Sequence, residues 1–328
     1  MTHILVDTAN TFFRARHVVR GDNSEKIGMA IHITLNSIKK AWNDFDGSHV
    51  VFCLEGRSFR KDLYAPYKRN RKELADAMTQ SEKEENEVFW ECYDDFVNFI
   101  KTKTNVTVLQ NPRVEADDLI ARWIDKHPEQ NHVIISTDKD LNQLVGPRVK
   151  QYNGVAEVTM THEGWFDKKG QPVIDKKLKA PKPAPNIEWL IFEKAMRGDA
   201  SDNIFSAYPG VRTKGTKNKI GLTEAFEDRN SKGYSWNNLM LSKWVDHDGK
   251  EHRVLDDYER NRLLVDLHAQ PEAIVEELDQ TISNAIAENK KIDQVGIRFM
   301  KFCAKYDLQR ITDQAQLYVE PFNARLIA

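Results

Sequence analysis

The stretch RVEADDLIARWI, Arg113–Ile124, carries two patterns at once. Ala116, Leu119, Ile120, Trp123 and Ile124 recur at i, i+3, i+4, i+7 and i+8, the spacing of one buried helical face. Glu115, Asp117 and Asp118 crowd the first turn of that helix. The apolar run VTVLQ (Val106–Gln110) precedes it and HVIIST (His132–Thr137) follows it. A strand, a helix and a strand in this order predict a parallel pair. Further out, HILV (His3–Val6) and HVVFCL (His49–Leu54) read as strands. TANTFFRARHVV (Thr8–Val19) and IGMAIHITLNSIKKAW (Ile27–Trp42) read as the helices between them. The predicted fold class is α/β, a central, mostly parallel sheet with helices on both faces.

Three of these runs stop at an acid: Asp7, Glu55 and Asp138. The carboxyl edge of a parallel sheet is where open α/β folds place their ligands. One acid after a strand is ordinary turn chemistry. Acids in a first turn offset the helix dipole by about 0.3–1 kcal/mol each. Those plain explanations would have to coincide five times, because STDKD adds Asp140 and GDASDN adds Asp199 and Asp202. So many carboxylates in one place raise one another's pKa unless cations join them. Hard oxygen donors with no interleaved His or Cys suit two Mg²⁺ ions, with Mn²⁺ able to substitute. Some of the acids would hold metal through water. At 100° per residue, Glu115 and Asp117 flank the apolar stripe and point to the sheet edge, while Asp118 points outward as the weakest ligand of the three. Two such ions roughly 4 Å apart would activate a water and stabilise a phosphodiester under in-line attack.

Directly after Glu55 comes RSFRKDLYAPYKRNRK, with Arg57, Arg60, Lys61, Lys68, Arg69, Arg71 and Lys72 interleaved by Phe59, Tyr64 and Tyr67. Basic groups meet phosphates and aromatic faces meet unpaired bases. The chain's formal net charge of -2 does not oppose this, because acids gathered in a metal site leave a basic remainder on the surface. SEKEENEVFWECYDDFVNFI (Ser81–Ile100) follows as a helix packing on the sheet.

With 328 residues the chain has room for about two domains. An α/β core is expected over 1–165, with the basic segment at about 57–90. WFDKKGQPVIDKKLKAPKPAPN marks an exposed Pro/Lys-rich connector at 166–186, and a helical region is expected over 187–328. Composition, 40% hydrophobic and 30% charged, is that of a soluble globular protein. No run reaches the roughly 18 apolar residues of a membrane span, and MTHILVDTAN reads as a strand rather than a signal peptide. Three scattered cysteines fit a reducing cytoplasm, a bacterial host's if the chain is phage-encoded.

LVDTANTFFRARHV, VEADDLIA, ISTDKDLNQL, MRGDASDNI and RNRLLVDL are, in order and spacing, similar to the motifs of the 5′-nuclease superfamily. That family includes flap endonucleases, the 5′-nuclease domain of bacterial DNA polymerase I, and phage 5′→3′ exonucleases and ribonucleases H. The resemblance implies metal ligands at Asp7, Glu55, Glu115, Asp117, Asp138, Asp140, Asp199 and Asp202, with Asp118 at a position some members also keep acidic. It implies that the basic segment is a helical arch over a single-stranded 5′ end. Through the pattern YKxNR, Lys68 and Arg71 would be the catalytic cations on the scissile phosphate, beside Tyr67. Glu55 stands where Asp is usual. PGVRTKGTKNK keeps only part of a helix–hairpin–helix, expected at about 199–226. Gly210, Val211, Gly215 and Lys217 match, but Thr213 and Lys214 do not, so the hairpin's usual potassium site is not assigned. Lys214, Lys217 and Lys219, with the hairpin amides, would still meet duplex phosphates.

The expected activity is a Mg-dependent, structure-selective 5′-nuclease acting on DNA or RNA–DNA hybrids in primer removal. The alternatives are a non-catalytic DNA junction binder of the same fold and a nuclease of structured RNA. A monomer is the default. Replication proteins such as a single-strand-binding protein or a clamp are candidate partners, the latter through the tail QAQLYVEPFNARLIA.

Overall fold

A computed structural model describes residues 1–18 and 23–327. In chain order its elements are β1 (Thr2–Asp7), α1 (Thr8–Val18), α2 (Asn23–Asp44), β2 (Gly47–Cys53), α3 (Arg60–Leu63), α4 (Arg69–Asp76) and α5 (Gln80–Lys103). Next come β3 (Thr107–Leu109), α6 (Ala116–Lys126), β4 (Asn131–Ile135), a 3-10 turn (Asp140–Leu144), β5 (Val149–Asn153), β6 (Val158–Thr161) and β7 (Gly164–Phe166). They are followed by β8 (Ile174–Asp175), β9 (Ala180–Pro181), α7 (Ile187–Arg197), α8 (Leu222–Glu227), α9 (Tyr234–Met240), β10 (Lys243–Val245) and β11 (Glu251–Arg253). The chain closes with α10 (Val254–Val265), α11 (Glu272–Glu288), α12 (Val295–Lys305), α13 (Gln309–Thr312) and α14 (Gln316–Asn323). Val19, placed in the first helix by its sequence, lies outside the described residues.

The chain divides into two compact units: Met1–Ser58 with Met78–Ala184 and Glu272–Ala328, and Phe59–Ala77 with Pro185–Pro271. The bounds expected from the sequence are a core over 1–165, a connector over 166–186 and a helical region over 187–328, the last beginning within two residues of Pro185.

The first unit holds a seven-stranded sheet in the order β3-β2-β1-β4-β5-β6-β7. The first five strands are parallel and the last two antiparallel. Strand alternation sends Ile4, Val6, Val50, Phe52, Val133 and Ile135 into one core with side chains of α2, α5, α12 and α14. Leu5, Val51 and Ile134 are equally buried and face the other way, where α6 packs on β1 and β2. Burial on both faces is why these strands read as unbroken apolar runs rather than alternating ones. α5 is the expected helix over Ser81–Ile100. Thr79 and Glu82 cap it reciprocally, and it buries Phe89, Tyr93, Phe96 and Phe99.

The tail that loosely resembled a clamp peptide is α14. Its Tyr318 and Phe322 are 5% and 1% exposed, part of the core, so the aromatics such a peptide would offer are already packed. Within the connector, β8 and β9 form a small antiparallel ribbon.

The second unit packs Phe192, Met196, Leu222, Leu239, Met240 and Val254 together. Tyr67 joins Ala195, Ile204, Leu264 and Val265 in a neighbouring cluster. Among the described residues no helix is long and apolar enough to cross a membrane.

Candidate active site

In the first unit, register puts Asp7 opposite Cys53 at the end of the two central strands. Glu55 therefore leaves β2 from the same edge as Asp7. Asp138 leaves that edge after β4, whose Ile135 pairs with Val6. Glu115 is the N-cap of α6, which begins just past β3.

Hydrogen bonds fix this edge. Asp7 is 2% exposed; its Oδ2 accepts from Ser136 Oγ at 2.8 Å and its Oδ1 from the Asn10 amide at 3.3 Å. Asn10 Oδ1 in turn accepts from the amide and hydroxyl of Thr137, tying the end of β1 to the end of β4. Glu55 Oε2 accepts from the Ala116 amide at 3.2 Å, at the start of α6. Glu115 Oε2 accepts from Ser58 Oγ at 2.9 Å. Asp138 Oδ1 accepts from the Asp140 amide, and the loop's carbonyls at Ser136 and Asp138 accept from Gln151 Nε2. Gly56 lets the loop after β2 press against the segment before α6. A Cβ there would sit 2.1 Å from the Asn111 carbonyl oxygen.

The electrostatics of the edge are repulsive. Burial and then the neighbouring Glu55 charge push the Asp7 carboxyl from 3.8 up to about 7, with Asp138 adding to it. Asp117 is driven well above the usual carboxylate range by burial, then by Asp7, Asp138, Glu55 and Glu115. Among the described residues, the charges that raise these two groups are all carboxylates. Oxygen donors held against their own repulsion form a donor set suited to hard divalent cations. The structure thus brings Asp7, Glu55, Glu115, Asp117 and Asp138 together, with Asp140 two residues along the loop.

Asp118 departs from its predicted orientation. It does not point outward: it is fully buried, and its Oδ2 accepts from the Glu115 amide at 3.1 Å. An unsatisfied amide at the first turn recruits the third acid as a cap.

In the second unit, Asp199 and Asp202 sit among cations. Burial works against ionisation of Asp199, but Lys194 Nζ at 2.7 Å and the amide and hydroxyl of Ser201 hold it down to about 2. Asp202 takes Arg71 Nη2 on Oδ1 at 2.8 Å and Tyr67 OH on Oδ2 at 3.4 Å, with Lys68 Nζ 4.0 Å away. Lys68 also donates its amide to the Asp202 carbonyl and holds a left-handed φ of 53°. Lys68 and Arg71, expected on a phosphate, therefore share one buried carboxylate.

Of the other residues expected to meet nucleic acid, Arg57, Lys61, Arg69 and Lys72 are exposed. Arg60 is not: it is 2% exposed and its Nε donates to the Leu264 carbonyl at 2.9 Å. A guanidinium that completes a buried hydrogen bond has no face left for a phosphate. Lys214, Lys217 and Lys219 are exposed beside Gly210, which holds a left-handed φ of 73°. The Gly215 amide, expected to be available to phosphates, donates to the Glu224 carboxylate instead, as does the Gly221 amide. Ser58, Ser136, Asn10 and Gln151 were missed by sequence reasoning. Ser58 and Ser136 were visible only as neighbours of the acids, in RSF and IST.

Carboxylates gathered at the carboxyl edge of a mostly parallel sheet define an α/β protein whose candidate site suits hard divalent cations. The family comparison narrows it: residues 2–171 match the model of the 5′-3′ exonuclease N-terminal resolvase-like domain, and the chain belongs to that family. It is 26% identical over 232 residues to a 5′-3′ exonuclease of Buchnera aphidicola, covering 69% of this chain and 67% of that one. It is 26% identical over 264 residues to ribonuclease H of Enterobacteria phage T4, covering 74% and 76%. Against flap endonuclease Xni of Aeromonas hydrophila identity is 29% over 157 residues, 45% of this chain and about half, 54%, of that one. In fold the chain resembles the bacteriophage T5 D15 flap endonuclease, solved with DNA and metal ions, at a TM-score of 0.59 and 20% identity, covering 87% of this chain and 99% of that one.

Proposed function

We propose that the protein is a divalent-cation-dependent 5′-nuclease that hydrolyses phosphodiesters at or near the 5′ ends of DNA or RNA–DNA hybrids. Primer removal during replication is the role this activity would serve. The observation that carries the reading is the carboxylate set Asp7, Glu55, Glu115, Asp117 and Asp138, in which the pKa values of Asp7 and Asp117 are raised by burial and by neighbouring carboxylates. Mg²⁺ is the ion the oxygen-only donor set suits, with Mn²⁺ as a substitute. A pair of such ions would supply the positive charge that activates water and stabilises the phosphate under attack. The chain's own part is positional: Ser136 and Asn10 aim Asp7, Ser58 aims Glu115, and the α6 amide at Ala116 aims Glu55. Arg71 and Lys68 would stabilise phosphate charge once exchanged from Asp202.

One observation favours a second reading, a junction binder without turnover: Asp199 and Asp202 are already neutralised by Lys194 and Arg71. The deciding experiment measures cleavage of 5′-labelled flap, nicked and RNA-primed duplexes in Mg²⁺ and in EDTA, for the parent and Asp138→Asn. The nuclease reading expects Mg²⁺-dependent products, lost by at least about 100-fold in the variant while DNA binding persists. Metal-independent binding with no turnover on any substrate would move the assignment to the binder. An Asp138→Asn protein with full activity would remove Asp138 from the metal site. Matched RNA and DNA flaps separate the structured-RNA alternative.

A further inference from the structure

The segment between β7 and α7 carries a concentration of charge that the site described above does not use. Asp167–Lys182 holds six lysines, at 168, 169, 176, 177, 179 and 182, against two aspartates, an excess of four positive charges in a chain whose net charge is -2. Both aspartates are spent locally on turns. Asp167 Oδ1 accepts from the amides of Lys169 and Gln171, and Asp175 Oδ1 from those of Lys177 and Leu178. Those backbone bonds hold both carboxyls below their usual range, so both stay charged but turned into the chain. Lys168 pairs with Glu157 at 3.0 Å, and Lys182 lies 3.5 Å over the Trp165 ring. Lys176, Lys177 and Lys179 are exposed at the tip of the β8–β9 ribbon, where the Lys179 amide closes the turn onto the Asp175 carbonyl.

Register places this ribbon. Phe166, the last residue of β7, pairs with Thr159, Thr159 with Tyr152, Tyr152 with Ile135, and Ile135 with Val6. β7 therefore runs toward the edge that carries Asp7, and the ribbon leaves the sheet from that edge. Four strand steps at about 4.8 Å separate β7 from β1, roughly 19 Å. The foot of the ribbon is therefore set to one side of Asp7 along the same edge.

We infer that the lysine-tipped β8–β9 ribbon is an accessory clamp on the phosphate backbone of duplex DNA, to one side of the phosphodiester being cleaved. Among the described residues no carboxylate pairs with Lys176, Lys177 or Lys179, and three ammonium groups on a short ribbon complement a rod of phosphates in charge. No base-reading or stacking group accompanies them, so the grip is blind to sequence. The position rests on the nuclease reading, because the distance is measured from the acidic edge; the binding itself does not.

The test compares the parent with a Lys176→Gln/Lys177→Gln/Lys179→Gln triple variant and with a Lys291→Gln/Lys301→Gln control, whose lysines are also exposed. Binding to a 5′-flap duplex is measured in Ca²⁺ from low to moderate salt. Removing one lysine–phosphate pairing lowers the slope of log K against log salt by about 0.9, so the triple variant is expected to lose about 2–3 units of slope and about tenfold in affinity near 0.1 M salt. Its kcat at saturating substrate should match the parent. Shortening the duplex stepwise on the ribbon's side should erase the difference once the ribbon has nothing to reach, and a difference that persists on single-stranded DNA alone overturns the duplex assignment. An unchanged slope in a triple variant that melts like the parent overturns the inference. So does an equal loss in the control, which would make the effect one of net charge. If the parent binds duplex with the lysine-dependent slope but cleaves nothing, the clamp stands and the nuclease reading falls.

Discussion

Asp7 shows at a single residue why this edge calls for cations. Its folded-state pKa of about 7 lies above the ordinary 3.8, raised by burial and by Glu55. Between those values the folded state binds a proton that the unfolded state has released, so the contribution of Asp7 to stability is complete below about pH 4 and declines as pH rises through 7. Three units at about 1.4 kcal/mol each set an upper bound near about 4 kcal/mol. Asp7→Asn removes the charge and keeps the shape. In EDTA it should therefore be more stable than the parent at pH 7.5, by about 1–3 kcal/mol, with a gap that closes toward pH 4. Comparing variant with parent cancels the opposite trend from His3, His49 and His132, which burial depresses to about 3, 4 and 4. Mg²⁺ should raise the parent's melting temperature and leave the variant's nearly unchanged. Urea unfolding at several pH values reads the first and thermal melts with and without Mg²⁺ the second; a variant less stable than the metal-free parent at pH 7.5 would contradict the repulsion.

At the scale of elements, the acids were readable because strand ends and a helix start are local features. HILVD, LEG and STD each show an apolar run stopping at a carboxylate, and a parallel sheet carries all three to one edge. What escaped the sequence is set by interactions between distant residues. Asp118 and Asp117 are neighbours of the same type, yet one caps α6 and the other faces the acids. Arg60 reads like Lys61 in a basic run, but a carbonyl 204 positions away holds it inside. Gly56 belongs with these. Its Cβ would strike the carbonyls of Asn111 and Val114 at 2.1 and 2.7 Å, so Gly56→Ala must push the loop after β2 away from the start of α6. Glu55 moves with it and loses the Ala116 amide. The expected cost is about 1–3 kcal/mol of stability and a cleavage rate at least about tenfold lower. Gly146→Ala is the control, because a Cβ there meets nothing within 4 Å. Thermal melting and initial rates of the two variants, side by side, check this; equal behaviour would refute it.

At the scale of the whole chain, the helical pattern after residue 187 concealed a division of labour. Nothing in PEAIVEELDQTISNAIAENK or VGIRFMKFCAKYDL says which layer it covers, since an amphipathic stripe fixes a buried face without naming its partner. The structure sends α7 to α10 to one unit and α11 to α14 back to the sheet. α12 and α14 supply Val295, Phe299, Phe302, Tyr318 and Phe322 to the core that also buries Ile4, Val6 and Phe52. α11 lies along α6 and β3, where Asp279 takes Arg122 through two hydrogen bonds of 2.6 and 2.7 Å. Deleting residues 272–328 therefore uncovers the sheet on which Asp7, Glu55 and Asp138 are mounted. Each large aromatic removed from a core costs about 3–5 kcal/mol, so three of them, about 9–15 kcal/mol, are as large as the roughly 5–15 kcal/mol that hold a typical domain folded. A chain ending at 271 should lose its cooperative melt and expose apolar surface to a hydrophobic dye, even though every expected metal ligand and basic side chain is still present. Circular dichroism melting and dye fluorescence read this directly. A truncated protein with the parent's sharp transition would mean that the sheet folds without its C-terminal helices, and that the apolar core drawn from both ends of the chain does not hold the acidic edge in place.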